Sequence, residues 1–209
     1  MGFHVYFKSL NKLERLERCP GEFMFERHNV AAHSFKVTKF AQFLGEVEAK
    51  NGGVIDWKLL YEKAINHDYT EVFIGDIKTP VKYSSPELRE KLAEVEKQMA
   101  EAFVSQEFPP DFQEMYRNKF KEAKDHTKEG LILAAADKLD ILYESFEELQ
   151  RGNTEEVFIT IYKESVAALK SIPLYSVSYF INEVLPEMIA EELNSTIDIK
   201  QITEEILTK

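Results

Sequence analysis

The sequence of 209 residues has one cysteine, Cys19, so it can form no intramolecular disulfide and build no zinc-cysteine cluster. A reducing cytoplasm suits such a chain. Long apolar runs are also missing. The N-terminal stretch mixes charges into its apolar residues early, unlike the core of a signal peptide. No later segment approaches the roughly 18 apolar residues of a membrane-spanning helix, and Tyr6 stands where a myristoylation pattern needs Ser or Thr. Positive charge is scarce: 26 Lys and Arg against 37 Asp and Glu give a net charge of -11. That balance opposes long-range attraction to a nucleic-acid polymer or an anionic membrane. A small anionic substrate stays compatible, because a bound cation and one or two basic residues can reverse the potential locally. Strand-like alternation is absent beyond short Val/Ile runs, as are internal repeats and low-complexity linkers.

What is present is an ordinary globular composition, 44% hydrophobic and 30% charged, at the size of one domain. Val5, Phe7, Leu10, Leu13 and Leu16 recur at helical spacing and predict a first helix ending before Pro20-Gly21. After a loop over Phe23 to His28, Asn29 is a plausible N-cap for a long helix ending at Asn51-Gly52-Gly53, with Val30, His33, Val37, Ala41 and Leu44 on its core face. Asp56 can cap a third helix through Trp57, Leu60, Ala64 and His67. Ser85-Pro86 opens another helix, which Pro109-Pro110 ends. A short helix over roughly 111 to 123 follows, then a long one from Leu131 to Leu149, two more from about 155 to 171 and 174 to 193, and an amphipathic tail with Ile199, Ile202 and Ile206. The fold class expected is all-α, one helical domain over 1–209, with a core at about 25–153 and C-terminal helices at about 154–207.

Four residues stand out as candidate metal ligands. A divalent cation used for hydrolysis takes mixed nitrogen and oxygen donors and keeps positions open for water and substrate. His33, His67, Asp68 and Asp137 offer two of each from separate helices, as in metal sites inside helical bundles. Adjacent residues diverge by about 100° on an ideal helix, so His67 and Asp68 can share an ion only at a helix end or distortion. The bland readings are a hydrogen-bonded core histidine and a chance His-Asp pair. Asp137 is more telling, because AAADKLDIL sets a carboxylate among small and apolar residues, where an unpaired charge is costly. The spacing does not decide whether Asp137 or Asp140 is the buried one.

The order H…HD…D, in the contexts NVAAHS (29–34), NHDYTEVFIGDIKTPVKY (66–83) and AADKLD (135–140), resembles the HD-domain metal-dependent phosphohydrolases. Within them it is similar to the YfbR-type bacterial 5'-deoxynucleotidases, and the string from His67 to Lys82 is its most specific element. The resemblance runs from the first helix to about residue 153. It implies an HD-domain helical bundle and one divalent ion per chain (Mn, Co, Fe, Ni or Zn) on His33, His67, Asp68 and Asp137. It also implies Glu71 as catalytic carboxylate, where the bland alternative is a solvated surface acid. Asp76, Ile77, Lys78 and Thr79 match the family's substrate-contacting loop, and Arg18 its phosphate-orienting arginine. Asp76 would orient the attacking water or contact the nucleoside. The family's Arg-Trp-Pro is Arg18-Cys19-Pro20 here, which puts Cys19 where an aromatic ring would adjoin the sugar. Its acids before the first histidine are His28 and Ala32 here.

The expected activity is removal of the 5'-phosphate from (deoxy)ribonucleoside 5'-monophosphates by metal-activated water. A dinuclear site for cyclic-nucleotide hydrolysis needs more histidines between His67-Asp68 and Asp137, where only His126 occurs. A triphosphate hydrolase needs extra basic residues. A third alternative is a non-catalytic helical interaction protein, a homodimer for instance, using Tyr175, Tyr179 and Phe180, although aromatics at helical spacing usually face inward.

Overall fold

A computed structural model of the chain describes residues 2–77, 79–82, 84–121, 123–192, 194 and 197–208, with only the backbone of Thr79 and Pro80. Helices dominate, and β pairing among the described residues is limited to an isolated antiparallel bridge between Glu17 and Asn29. In chain order the helices are α1 (His4–Leu13), α2 (Val30–Lys50), α3 (Trp57–Asn66), α4 (Glu71–Ile74), α5 (Thr79–Lys82), α6 (Pro86–Glu107), α7 (Pro110–Lys119), α8 (Lys128–Gln150), α9 (Glu156–Ser171), α10 (Tyr175–Tyr179), α11 (Leu185–Ile189) and α12 (Ile199–Thr208). The all-α expectation holds.

Local chemistry accounts for the helix starts. Asn29 Oδ1 accepts from the Ala32 N–H at 2.9 Å, Asp56 Oδ1 from Leu59 at 3.0 Å, and Ser85 Oγ from Leu88 at 3.1 Å. Each satisfies an N–H that the first helical turn cannot pair internally. At the end of α2, Gly52 has φ 86°, a left-handed stop that favours glycine. Three boundaries differ from the sequence pattern. α1 stops at Leu13 because the N–H groups of Arg15 and Leu16 both turn back to Lys12 O. α7 ends at Lys119 rather than near 123. The segment expected as one helix over 174–193 contains a π-helical turn, Phe180–Val184, where the Leu185 N–H reaches back five residues to Phe180 O. Pro186 follows it: proline has no N–H to donate and its ring crowds the preceding turn, so the regular ladder cannot run through unchanged.

The chain divides into two compact units. The first comprises Met1–Glu22, Arg27–Phe35 and Glu62–Ala123. Leu13, Val30 and Tyr69 are buried at its centre, with Tyr6, Phe73, Phe103 and Phe120 against them. The Tyr69 and Phe120 rings stack at 4.3 Å, and the Tyr69 hydroxyl meets Ser9 Oγ at 2.6 Å. The second unit comprises Phe23–Glu26, Lys36–Tyr61 and Lys124–Lys209. There α8 packs along α9, burying Leu139, Leu142, Phe146, Phe158, Tyr162 and Val166. Each such side chain contributes roughly 1.5–3 kcal/mol on leaving water. The Tyr162 hydroxyl bonds Thr203 Oγ1 at 2.7 Å, and burial pushes its pKa up to about 12. No helix among the described residues is long and apolar enough to cross a membrane.

Candidate metal centre

The site in the first unit is organised by the end of α3. Asn66 is its last residue, and Asn66 Nδ2 donates to Glu62 O at 2.7 Å. The chain then tightens, with Tyr69 N–H bonding Asn66 O and Glu71 N–H bonding Asp68 O. His67 and Asp68 therefore lie in a turn and escape the divergence that a continued helix would impose. His67 Nδ1 lies 2.8 Å from Ala64 O, which selects the tautomer with the proton on Nδ1 and leaves the Nε2 lone pair for a cation. His33, from the buried face of α2, meets this turn. Its Nε2 lies 3.2 Å from His67 Nε2 and 3.1 Å from Asp68 Oδ2, and His67 Nε2 lies 3.2 Å from the same oxygen.

Those three separations fit a shared ion. Ligand atoms bound at about 2.0–2.2 Å to one cation stand about 3.0–3.5 Å apart, and nitrogen and carboxylate oxygen together suit a borderline divalent metal. Burial pushes the Asp68 carboxyl up, but the adjacent His67 and His33 rings outweigh it and hold the group well below the usual carboxylate range. Asp68 is thus ionised and ready as a ligand.

Glu71, the first residue of α4, behaves oppositely. Its Oε2 is buried with no hydrogen-bond partner among the described residues. Burial first, then the charges of Asp68 and Asp76, push its pKa up to about 8 against the pull of Arg18 and His33. A carboxyl tuned in this way can take or give a proton near neutral pH. Behind it, Gly75 turns the chain at φ 79°, and Asp76 Oδ2 accepts the Cys19 N–H at 3.2 Å. Cys19 itself has φ 50°, unusual for a residue with a side chain. This bond joins the segment of Arg18 to the loop after α4, two pieces that are distant in sequence. Ile77 is half-buried beside Asp76, Lys78 lies outside the described residues, and so does the side chain of Thr79.

Asp137 belongs to the second unit, on α8. It is buried, and its Oδ2 accepts from Lys124 Nζ at 2.7 Å. Asp140 is buried too, paired with Lys36 Nζ at 2.9 Å, so the choice between the two aspartates is not one of exposure. Sequence reasoning passed over Lys124, one lysine among many. It read His28 only as a departure from a family pattern; its Nε2 is buried without a hydrogen-bond partner among the described residues.

The sequence matches the 5'-deoxynucleotidase YfbR-like family over residues 5–188. The chain belongs to this family. A 5'-deoxynucleotidase of Shewanella oneidensis is 32% identical over 182 residues, covering 86% of this chain and 91% of that protein. One from Vibrio vulnificus is 29% identical, covering 87% and 92%. Among solved structures, an HD-domain phosphohydrolase from Listeria innocua superposes with a TM-score of 0.94 at 53% identity, covering 100% of this chain and 99% of the other. A cyanophage S-2L HD phosphohydrolase, bound to dA and one catalytic zinc ion, shares the fold at a TM-score of 0.59 and 16% identity, with 97% of this chain and 96% of that one covered. The match to the YfbR-like family reaches residue 188, beyond the point near 153 where the sequence motifs give out. As a YfbR-like member the protein is a metal-dependent nucleotide phosphohydrolase.

Proposed function

We propose that the chain removes the 5'-phosphate of (deoxy)ribonucleoside 5'-monophosphates at one divalent cation held by His33, His67, Asp68 and Asp137. The observation that carries this reading is the set of three donor atoms at 3.1 and 3.2 Å from one another, with the raised Glu71 carboxyl three residues beyond Asp68. Asp137 joins them through the motif AADKLD and its burial in α8. A cation bound there lowers the pKa of a water and offsets negative charge developing on the phosphoryl group. Glu71 exchanges a proton at its buried Oε2. Arg18 holds the phosphate, Asp76 is anchored by the Cys19 N–H, and Ile77, Lys78 and Thr79 take the substrate-contacting role that the family's loop has. The names of the curated relatives support the monophosphate substrate.

The two units act as one HD domain in this reading, in the cytoplasm. A homodimer would use the exposed Tyr175 and Tyr179, since Phe180 is buried. Light scattering on the purified protein checks the dimer. The enzymatic reading is tested by phosphate release from a panel of deoxy- and ribonucleoside 5'-mono- and triphosphates after metal-stripped protein is reloaded with Zn, Mn, Co, Fe or Ni. Orthophosphate from monophosphates is expected. Tripolyphosphate from triphosphates would point to a triphosphate hydrolase instead, and inactivity on the whole panel would overturn the proposal. Asp137→Ala should lower metal occupancy by elemental analysis, and full retention would remove Asp137 from the ligand set.

A further inference from the structure

The geometry points to His28 as a second phosphate-binding residue beside Arg18, which deepens the proposed function and rests on it. Glu17 and Asn29 form an antiparallel bridge, flanked by Arg18 N–H to His28 O and Val30 N–H to Leu16 O, both at 3.0 Å. Arg18 and His28 therefore stand opposite each other across this short ribbon. Opposed residues share a face, with Cβ atoms about 4.5–5.5 Å apart. The outer face is marked by Glu17 and Arg27, both exposed, whose charged ends lie 4.0 Å apart. Residues 18 and 28 alternate to the inner face. There Arg18 is buried, and its positive charge acts on the Glu71 carboxyl.

A buried ring nitrogen ordinarily has a hydrogen-bond partner, and His28 Nε2 has none among the described residues. A ligand oxygen would complete it. The neighbouring guanidinium specifies the kind of oxygen, an anionic one. An acid at position 28, as in the family pattern, would repel a phosphate and compete for Arg18. An imidazole instead adds a donor on the same side of the ribbon. His28 and Arg18 together form a two-pronged grip for the phosphate of the nucleotide or for free phosphate after the reaction.

The test uses the full-length, metal-loaded protein with His28→Ala and His28→Gln. The readouts are KM and kcat on a deoxynucleoside 5'-monophosphate, the inhibition constant of inorganic phosphate, and calorimetric binding of inorganic phosphate and of an unphosphorylated deoxynucleoside. His28→Ala should raise KM and weaken inorganic phosphate by about tenfold or more, the usual scale for a lost hydrogen bond to a charged group. It should leave kcat within about threefold and deoxynucleoside binding within about twofold. His28→Gln, which keeps an N–H donor, should recover part of the loss. Unchanged phosphate constants in folded His28→Ala would overturn the inference, as would equal weakening of phosphate and deoxynucleoside, the mark of a structural role. If the unaltered enzyme hydrolysed no nucleotide, the proposed function would fall, while the calorimetric comparison would still decide on His28.

Discussion

Acidic side chains are withdrawn from water in both units, more fully in the second than in the first, but their charges are answered differently. In the second unit the protein itself supplies the answer. Glu148 accepts the N–H groups of Phe25 and Glu26, each at 2.9 Å, and Asn153 Nδ2 at 2.8 Å. Glu129 accepts the Asp56 N–H at 2.9 Å, and Glu48 that of Ser176 at 2.7 Å. Asp140 meets the Lys36 ammonium. In the first unit, Asp68 faces two imidazoles whose Nε2 atoms crowd the same point, and Glu71 Oε2 has no hydrogen-bond partner among the described residues. Burial of an acid is therefore no signature of a reactive site. The distinguishing feature is whether fixed N–H groups and lysines neutralise it, or whether it converges with other metal-binding atoms.

Breaking the reactive side of this contrast should have the largest effect. Glu71→Gln keeps the size of the side chain but cannot exchange a proton, so kcat should fall by about 10²–10⁴-fold, as for loss of a general acid or base, with metal content retained by elemental analysis. Near-normal turnover would refute the role. On the architectural side, Glu148→Ala leaves two backbone N–H groups and the Asn153 amide without their buried acceptor. It should cost about 2–4 kcal/mol, read from urea unfolding, while metal occupancy stays as it was. A loss of metal comparable to that of a ligand variant would erase the distinction between the two sets.

A smaller effect follows from pH. With a folded pKa near 8 against an ordinary 4.5, Glu71 keeps a proton in the folded metal-free protein that the unfolded chain has released. Its contribution to stability is full below about pH 4.5 and is lost as pH rises through 8. Melting temperatures of the metal-stripped protein should fall across that window, and Glu71→Gln should flatten the slope. A level profile in the unaltered protein would count against the burial of this carboxyl. Least costly should be Tyr162→Phe, which removes a neutral buried hydrogen bond to Thr203. A loss of about 1 kcal/mol is expected in the same urea assay, and a loss matching that of Glu148→Ala would show that charge is not what separates these buried groups.

The helices were largely legible because their start signals act locally: Asn29, Asp56 and Ser85 all cap as their sequence contexts suggest. The π turn was not, since Pro186 is compatible with a break, a kink or a widened turn, and packing selects among these. His33 and the His67-Asp68 pair were readable from donor chemistry and motif order. Their convergence depended on where α3 stops, which no periodicity records. The contact between the Cys19 N–H and Asp76 joins segments 57 residues apart, and the pairing of Arg18 with His28 arises from backbone bonds. Neither leaves a local pattern.

The stop of α3 at Asn66 also bears on how this enzyme could be made sturdier. Replacing residues near a helix end with strong helix formers is a common route to a higher melting temperature. Here one more helical turn would carry His67 and Asp68 to different sides of the cylinder. Selection for a more heat-resistant protein and selection for a faster one would pull this turn in opposite directions, and variants evolved for thermal tolerance should gain their stability elsewhere in the chain.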